Sequence, residues 1–198
     1  MAPKLQFPDA LFPSGKFIKR IILCLNMLQL SATLLNKPVM SLRTGAQIAT
    51  VYAPIINPDN LKLEGFYCKD RFSNKTLVLV YQDIRELLTK GYVVNDRDSL
   101  SEPEDLIRLK DVINLNFNLI GKPVVTVNKS RVGKVNDYAV EVETMYIQKL
   151  YVSQSLLKSF TGGNLSVDRN QINEITDTKI VINELAASNP ATAPVAII

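Results

Sequence analysis

The chain has 198 residues, of which 46% are apolar and 21% are charged, so it has the composition of an ordinary globular protein with enough apolar residues for two small cores. It contains no histidine, which removes the usual general base near neutral pH and the commonest metal ligand. The net charge is +4, but residues 1–26 hold four basic residues and one acidic residue, so the rest of the chain carries only about +1 and lacks the basic excess of a nucleic-acid binder.

Residues 1–26 form a leader ahead of the part that we expect to fold. Phe17–Leu30 places basic residues before an apolar stretch, which is the outline of a signal peptide. The apolar run Ile21–Leu25 is short for an export signal and far short of the roughly 20 residues that cross a bilayer. We therefore favour an upstream extension of the reading frame with no fold of its own over export. An amphipathic anchor at a membrane surface is the third alternative.

The chain after the leader carries one pattern twice. Three blocks in the first half match three blocks in the second half in apolar character, at spacings of 84 to 88 residues. The matched blocks are Leu34–Val39 with Leu119–Val124, Ile48–Cys68 with Val132–Val152, and Leu79–Asn95 with Val167–Asn183. A period of about 85 residues is too long for a solenoid repeat and is the size of a small domain. The sequence therefore predicts a tandem duplication of one β-rich module.

The first copy, residues 27–100, is predicted to consist mostly of strands. Ser31 is a plausible N-cap of a short helix that ends at Leu35. Strands are predicted over 39–42, 47–56, 62–68, 76–81 and 92–95, with a single helical turn over 82–88. This set is too small for a sandwich, so we expect a small closed or nearly closed barrel.

Residues 101–118 are predicted to form a linker helix between the copies. Ser101–Glu104 has the sequence of a capping box with proline in the first turn, and apolar residues then fall on one helical face. We expect this face to cover the end of one barrel, and a groove on a partner is the alternative.

The second copy, residues 119–185, repeats this layout. Strands are predicted over 122–127, 134–142, 144–153, 165–167 and 179–183, with a helical turn over 171–175 and an extra loop over Thr161–Asn164. Residues 186–198 are rich in alanine, proline, serine and asparagine and are predicted to be a disordered tail. The predicted architecture is mainly β, with two small tandem β-barrels, short helices and a linker helix.

The repeated motifs resemble those of the PRC-barrel family. The second copy carries Leu119–Val124 (LIGKPV) and Val132–Tyr138 (VGKVNDY), and the first copy has Asn36 and Ala49 at the two matching glycine positions. The family includes the β-barrel modules of the photosynthetic reaction-centre H subunit and of the C-terminal half of a bacterial ribosome-maturation factor. The resemblance covers residues 27–184. It implies a PRC-barrel-like adaptor or assembly module, with no catalytic residues to carry over.

No catalytic or metal-binding pattern stands out in the sequence. Cys24 and Cys68 lack metal-type spacing, and a reduced, cytoplasmic compartment fits them better than a disulfide. Glu141 and Glu143 could hold a cation, but two carboxylates without further oxygen ligands are usually a solvated edge. Gly162-Gly163 lacks the other residues of a phosphate-binding loop. We expect no enzyme activity, no metal and no cofactor.

The best candidates for partner contact are basic residues of the second copy. Lys122, Lys129, Arg131 and Lys134 form a cluster that could contact RNA phosphates. No aromatic residues alternate with them, as a platform for single-stranded nucleic acid would require, so a solvated barrel end is the favoured interpretation.

Tyrosines in the predicted strands are a second set of candidates. Their first interpretation is barrel wall or core, and any exposed subset could contact a protein partner. These residues are Tyr67, Tyr138, Tyr146 and Tyr151, and Tyr138 lies beside the basic cluster in sequence.

Together the observations favour a non-enzymatic, cytoplasmic protein that binds a macromolecular partner, most simply a protein. The two copies would present one extended surface or pack on each other as an internal pseudo-dimer. An RNA-processing or ribosome-assembly factor, by family analogy alone, is the alternative. An enzyme would need a pocket with strongly shifted pKa values, and contact with a membrane would depend wholly on residues 1–26.

Overall fold

The computed structural model describes residues 28–73, 75–153 and 164–183. This part of the chain is mainly β and forms two sheets, which confirms the mainly β class predicted from the sequence, while the two tandem barrels stay a prediction. The leader, Cys24, the Gly162-Gly163 loop and the tail lie outside the described residues, so the predictions for them stay predictions. Within the described ranges, every helix is too short or too polar to cross a bilayer.

Two short α-helices and fourteen strands make up the regular structure of the described residues. The helices are α1 (Ser31–Leu34) and α2 (Lys110–Leu115). The strands are β1 (Leu28–Leu30), β2 (Pro38–Ser41), β3 (Gln47–Asn57), β4 (Lys62–Asp70), β5 (Thr76–Val80), β6 (Ile84–Leu88), β7 (Gly91–Val94), β8 (Leu100–Ser101), β9 (Pro123–Thr126), β10 (Arg131–Glu141), β11 (Ile147–Ser153), β12 (Asn164–Asp168), β13 (Ile172–Ile175) and β14 (Ile180–Ile182).

The two sheets have the same strand order. The first sheet runs β6-β7-β2-β3-β4-β5-β8, and the second runs β13-β14-β9-β10-β11-β12. In both, the first long hairpin is antiparallel and the last short strand returns parallel to the first, as β7 to β2 and β14 to β9. Because matched blocks of sequence occupy matched strands, the internal repeat seen in the sequence is also a repeat of topology.

Each sheet is curled. β5 and β6 lie on opposite sides of the first sheet, yet only the three-residue 3-10 turn Tyr81–Asp83 separates them in the chain. Such a turn spans only about 6 Å, so the two sides must approach each other there. The turn Arg169–Gln171 does the same for β12 and β13. Among the described strands, no ladder of hydrogen bonds joins the two approaching sides, so neither sheet closes into a barrel through strand pairing there.

The predicted helical turns over 82–88 and 171–175 were wrong over most of their length. These residues form β6 and β13, each preceded by a 3-10 turn. Ile84 and Leu87 have the three-residue spacing of a helix, but a bulge between Ile84 and Glu86 adds one residue to the strand, so both side chains pack against the core. A bulge therefore imitates a helical period in the sequence.

The entry into each curled sheet uses a left-handed residue. Asn36 has a φ of 58° and Gly121, its counterpart, has a φ of 84°. Glycine adopts this conformation without steric cost, and asparagine is among the few other residues that tolerate it. Asn36, which replaces the motif glycine in the first copy, therefore keeps the same left-handed backbone conformation.

The linker helix is shorter than predicted. Only α2 is α-helical, after two 3-10 turns, and Ser101 lies in β8, where it pairs with Val78. The predicted capping box does not form, because the backbone of Ser101 is engaged in strand pairing and no side chain caps the turn that begins at Pro103.

The segment that leads into each copy lies on the long strand of the other copy. β1 precedes the first sheet but pairs with β10 of the second, with Leu28 opposite Glu141 and Leu30 opposite Ala139. The hydroxyl of Ser31 donates to Asp137 Oδ1 at 2.5 Å instead of capping α1. In the same way, α2 precedes the second sheet and packs beside β3 of the first. The segment before each sheet thus packs on the other sheet.

Most buried apolar side chains of both sheets belong to one hydrophobic cluster. In the first sheet, the rings of Phe66 and Tyr92 lie 5.1 Å apart, and the Tyr92 hydroxyl donates to the Leu34 carbonyl at 2.8 Å. Leu150 and Ile180, the counterparts of these two aromatic residues, are fully buried in the second sheet. A shared cluster predicts that the two sheets unfold together.

Replacing Phe66 with alanine tests this shared core. Phe66 is fully buried, so the Phe66→Ala variant should lose about 3–5 kcal/mol of unfolding free energy through lost burial and a residual cavity. Calorimetry should show a single unfolding transition that moves to lower temperature as a whole. Two transitions, with one at the temperature of the unmodified protein, would show that the sheets are independent.

Candidate functional site

Two of the four basic residues predicted to contact a partner project from β10. Arg131 lies opposite Val125, and Lys134 lies opposite Pro123, while Gly133 between them is buried. A bulge between Arg131 and Gly133 adjusts the alternation, so that Arg131 and Lys134 are both exposed. The structure therefore brings these two side chains to the outer face of the second sheet.

The other two basic residues differ in their availability. Lys122 is engaged, since its Nζ lies 4.4 Å from the ring centre of Phe117 and donates to the Asp177 carbonyl at 2.5 Å. Lys129 is exposed in the β9–β10 turn, with a φ of 61°. Within the described part of the chain, neither Lys129 nor Lys134 has an acidic side chain at ion-pair distance.

Tyr138, the fifth residue named from the sequence, is in the core. It is 2% exposed, and burial raises the pKa of its hydroxyl, with a further contribution from the Asp137 carboxylate. A neutral buried tyrosine contributes packing to the second sheet. It is not part of the surface that carries Arg131 and Lys134.

Of the acidic pair considered as a cation site, the Glu141 carboxylate is engaged by protein side chains. Glu141 Oε2 accepts from Thr144 Oγ1 at 2.5 Å and from Gln148 Nε2 at 3.1 Å. The backbone carbonyl of Glu143 accepts from the Tyr81 hydroxyl at 2.5 Å. Among the residues that the structure describes, no three acidic, cysteine or histidine side chains are grouped as metal ligands would be.

An aromatic pair lies on the outer face of the first sheet. The rings of Tyr52 and Tyr67 are 6.1 Å apart and nearly parallel, and Tyr52 is 45% exposed. Burial raises the pKa of Tyr67, and the neighbouring Tyr52 adds to this shift. Lys69, exposed on the same strand as Tyr67, lies opposite Thr76, whose hydroxyl is 3.4 Å from that of Tyr52. Tyrosine is enriched at protein interfaces, so this pair is a candidate contact surface.

Sequence reasoning named Tyr67 but missed Tyr52. Tyr52 precedes Ala53 at a bulge in the β3–β4 pairing, which has a register shift between Val51 and Ala53. Alternation from the buried Val51 turns Tyr52 outward. Its place beside the Tyr67 ring depends on the pairing register of β3 and β4, which the sequence alone does not give.

A second feature is the seam where the two copies meet through their long hairpins. The Leu63 amide donates to the Met145 carbonyl at 2.9 Å, and the Ile147 amide donates to the Leu61 carbonyl at 2.8 Å. Leu61 matches Met145 in the internal repeat, and Leu63 matches Ile147. Exchanging the copies therefore converts one hydrogen bond into the other, which is the form of an isologous contact.

Two side chains beside the seam occupy matching positions in the copies and make matching contacts, although one is a tyrosine and the other an arginine. The Tyr81 hydroxyl bonds a carbonyl in the hairpin turn of the second copy, at Glu143. Its counterpart Arg169 donates Nη2 to a carbonyl in the hairpin turn of the first copy, at Asn60, over 2.7 Å. The guanidinium of Arg169 also lies 4.5 Å from the ring centre of Tyr146. Each copy thus holds the turn of the other with one donor side chain.

Two open grooves flank Arg169. One has a volume of about 560 Å³ and is lined by Leu28, Glu141, Gln148, Lys149, Asp168, Arg169 and Asn170. The other has a volume of about 360 Å³ and is lined by the hairpin turn of the first copy and by β13. In the larger groove, Lys149 and Asp168 form an ion pair at 2.7 Å, so these charges satisfy each other.

Cys68 lies in the core, as the sequence predicted. It is fully buried, and burial raises the pKa of its thiol to about 12. The thiol therefore stays protonated near neutral pH and has little nucleophilic character.

Asp70, at the end of β4, is the charged residue that is buried among the residues described by the structure. Its side chain is fully buried and pairs with Arg97 at 2.8 Å. Its Oδ2 also accepts hydrogen bonds from the backbone amide and the hydroxyl of Ser73. Burial acts to raise the pKa of Asp70, but these hydrogen bonds and the Arg97 charge outweigh it and hold the pKa below its usual value. The carboxylate thus has a structural role in fastening the β4–β5 turn to the segment after β7.

No protein-family model matches the chain, and none of the curated proteins searched matches it in sequence.

The role of Asp70 predicts a pH-dependent loss of stability. The Asp70→Asn variant should lose about 1–3 kcal/mol at pH 6, because a buried charged hydrogen-bond acceptor is replaced by a neutral amide. The folded pKa is below the unfolded value of about 3.9, so this contribution is present above that value and is lost as pH falls through the folded pKa. Denaturant titrations at several pH values measure it.

Asp98→Asn is the matched control, since Asp98 is exposed on the same segment as Arg97. This control should change stability little at any pH. A constant difference between Asp70→Asn and the unmodified protein from pH 6 to pH 2 would contradict the assigned role of the carboxylate.

A double-mutant cycle tests the contact between Arg169 and Tyr146 at the seam. Arg169→Gln and Tyr146→Leu should each destabilise the protein, and their coupling should be about 0.5–2 kcal/mol because the cation lies over the ring in a partly desolvated place. Arg97 and Phe72, 5.6 Å apart with Phe72 67% exposed, provide a matched pair with weaker expected coupling. Additive effects of Arg169→Gln and Tyr146→Leu would show that this contact does not stabilise the seam.

Proposed function

We propose that this chain is a non-enzymatic adaptor or assembly protein of two tandem PRC-barrel-like modules that binds a protein partner in the cytoplasm. The modules correspond to residues 27–100 and 119–185. The equal strand orders support one module repeated twice. The three-residue turns that join β5 to β6 and β12 to β13 support barrels, since they bring the two sides of each sheet together.

The seam supports an internal pseudo-dimer. Its two backbone hydrogen bonds are equivalent under exchange of the copies, as expected where the same surface of two like modules meets itself. Such a contact uses the hairpin tips and leaves the outer faces of both sheets free for a partner. It also fixes the spacing of these faces, which suits a protein that holds a partner in one orientation.

The observation that carries the proposal is the exposed Tyr52–Tyr67 pair on the first sheet. Stacked outward tyrosines provide a large contact area that loses little side-chain entropy on binding. Lys69 beside them is positively charged, and Lys134 gives the outer face of the second sheet the same sign. We therefore expect a protein partner whose contact surface is acidic around an apolar centre.

Crosslinking mass spectrometry on the protein in its own cells identifies the partner and the contact surface together. A lysine-reactive crosslinker should join Lys69 to an acidic protein. Purified partner should then bind the Tyr52→Ser variant about 30-fold more weakly, the loss expected of an interface hot spot of about 2 kcal/mol. Tyr151→Ser is the matched control. Tyr151 is the counterpart of Tyr67, but the second copy has Asn136 at the position that matches Tyr52 and therefore lacks the aromatic pair.

Equal binding by Tyr52→Ser and the unmodified protein would remove the aromatic pair from the interface. If the captured molecule is RNA, Lys129→Glu and Lys134→Glu should weaken binding and affinity should fall steeply with salt, because phosphate contacts release counterions. That outcome would replace the protein adaptor with the RNA-processing or ribosome-assembly alternative.

A further inference from the structure

Two apolar side chains on the outer face of the first sheet are buried outside the core. Ile55 is 3% exposed and Val78 is 0% exposed, although neither belongs to the hydrophobic cluster. Val78 lies opposite Tyr67 in the β4–β5 pair, and Ile55 is two residues from Ala53, which lies opposite Tyr67 in the β3–β4 pair. Because opposite residues share a face and side chains alternate along a strand, Ile55 and Val78 project outward with Tyr67.

The linker between the copies is what covers these two side chains. It contacts β5 through the 3-10 turn Pro103–Asp105 and β3 through α2. Since β4 lies between β3 and β5, the linker crosses β4 over the outer face. The chain itself thus already packs a helix on one part of this face.

The other part of the face carries the aromatic pair and a lysine. The Tyr52 hydroxyl lies 3.4 Å from that of Thr76, so the ring of a β3 residue reaches over β4 to β5. The Tyr67 ring stacks beside it, and Lys69 lies opposite Thr76. Within the described ranges, Lys69 has no acidic side chain at ion-pair distance.

The longer segments outside the described residues join the chain at the second sheet. They join it at Leu28, which pairs with β10, at Ser153 and Asn164 in β11 and β12, and at Asn183, directly after β14. Apart from residue 74 in the β4–β5 turn, the strands and the linker of the first copy are therefore described without a gap.

The linker also presents apolar side chains to solvent. Ile107 is 84% exposed and lies in the stretch that crosses β4, and Leu115, at the end of α2, is 52% exposed. Tyr52, on the same face, is 45% exposed. Exposed apolar groups gathered on one face are typical of an interaction site.

The pairing of β4 indicates the backbone conformation of the occupant. β4 is paired on both sides, with β3 and with β5, so its amides and carbonyls are engaged. An extended segment laid on this face would therefore leave its own amides unpaired against the tyrosine rings, at a cost in free energy. A helix satisfies its backbone internally, and α2 already packs on this face in that form.

Lys69 indicates the charge of the occupant. It lies two residues from Tyr67 along β4, a distance of about 7 Å. Residues one turn apart on a helix, at i and i+4, are separated by about 6 Å along its axis. A helix with an apolar side chain on the tyrosine pair can therefore place a carboxylate one turn away, against the Lys69 ammonium group.

We propose that the outer face of the first sheet binds an amphipathic helix of the protein partner. The helix lies beside the linker, with apolar side chains on Tyr52, Tyr67 and Ile107 and an acidic side chain one turn away on Lys69. This inference rests on the proposed function and adds the structural class of the partner's contact segment. The partner helix and α2 are then neighbours on one sheet face.

NMR titration of the full chain with two synthetic peptides tests the inference. Both peptides are alanine-based helices of about 18 residues with leucines along one face, and they carry either glutamate or lysine one turn from the leucines. The acidic peptide should shift the amide signals of Tyr52, Tyr67 and Lys69 and bind about fivefold or more tightly than the basic peptide. Lys69→Glu should reverse this preference, which a loss of folding cannot do.

Lys90→Glu makes the same charge change at an exposed turn of the same sheet and should keep the preference for the acidic peptide. An acidic peptide with proline at its centre should bind at least tenfold more weakly, because proline breaks the helix. Equal binding of the proline peptide, or a preference that Lys69→Glu leaves unchanged, would overturn the inference. The absence of shifts at the three amides with millimolar acidic peptide would overturn it too.

Other occupants of the face give distinct results. Self-association of the free chain that Tyr52→Ser abolishes, measured by sedimentation, would assign the face to a second copy and overturn the inference. Tighter binding of a uridine oligonucleotide than of the acidic peptide, lost in Tyr52→Ser, would assign the face to RNA and overturn it equally.

Failure of this inference is distinguishable from failure of the proposed function. If Tyr52→Ser weakens binding of the crosslinked partner but the peptides fail, the interface stands and its helical occupant is wrong. If Tyr52→Ser binds the crosslinked partner as well as the unmodified protein does, the aromatic pair is not the interface and both proposals for this face are wrong.

Discussion

The organisation of the molecule depends on one pair of backbone hydrogen bonds. Leu63 to Met145 and Ile147 to Leu61 join the two long hairpins where each returns on itself. Both carbonyls belong to residues in the left-handed conformation, with φ of 49° at Leu61 and 60° at Met145. Bulky residues adopt this conformation at a cost of about 1–2 kcal/mol, so both copies accept local strain at the same place. Burial of both side chains and the hydrogen bonds of the seam offset this cost.

The two copies are alike in their cores and differ at the seam and on their outer faces. At buried positions they have similar side chains, such as Val51 with Val135 and Leu34 with Leu119. At the seam, Lys62 faces Tyr146, and these residues match each other in the repeat, so the matched positions meet with different chemistry. The outer face of the first sheet carries an aromatic pair, and that of the second carries basic residues.

The sequence predicted the long strands well because the pattern of each one occurs in both copies. Matched apolar positions in β3 and β10, and in β4 and β11, gave two independent views of one element. It failed for β6 and β13, where bulges gave Ile84 and Leu87, and Ile172 and Ile175, a helical spacing. It also failed for Ser101, whose capping-box pattern is overridden by pairing with β5. Both failures arise from tertiary pairing that local patterns do not contain.

The candidate surfaces were only partly predictable for the same reason. Charge alone identified Arg131 and Lys134, but side chains three residues apart alternate to opposite faces, and only the bulge between Arg131 and Gly133 turns both outward. Tyr138 and Tyr67 are both tyrosines in predicted strands, but the register of β10 directs the Tyr138 side chain into the core. The place of Tyr52 beside Tyr67 depends on the pairing register of two strands, and the seam depends on the contact of two distant hairpin tips.

The most direct test of this account is native-state hydrogen exchange at the amides of Leu63 and Ile147. The account predicts that both exchange only when the whole molecule unfolds, with the same opening free energy as the central amides of the two sheets. Faster exchange at both positions, while amides within β4 and β11 stay protected, would show that the hairpins separate in the folded protein. That result would contradict a seam that holds the two copies as one unit.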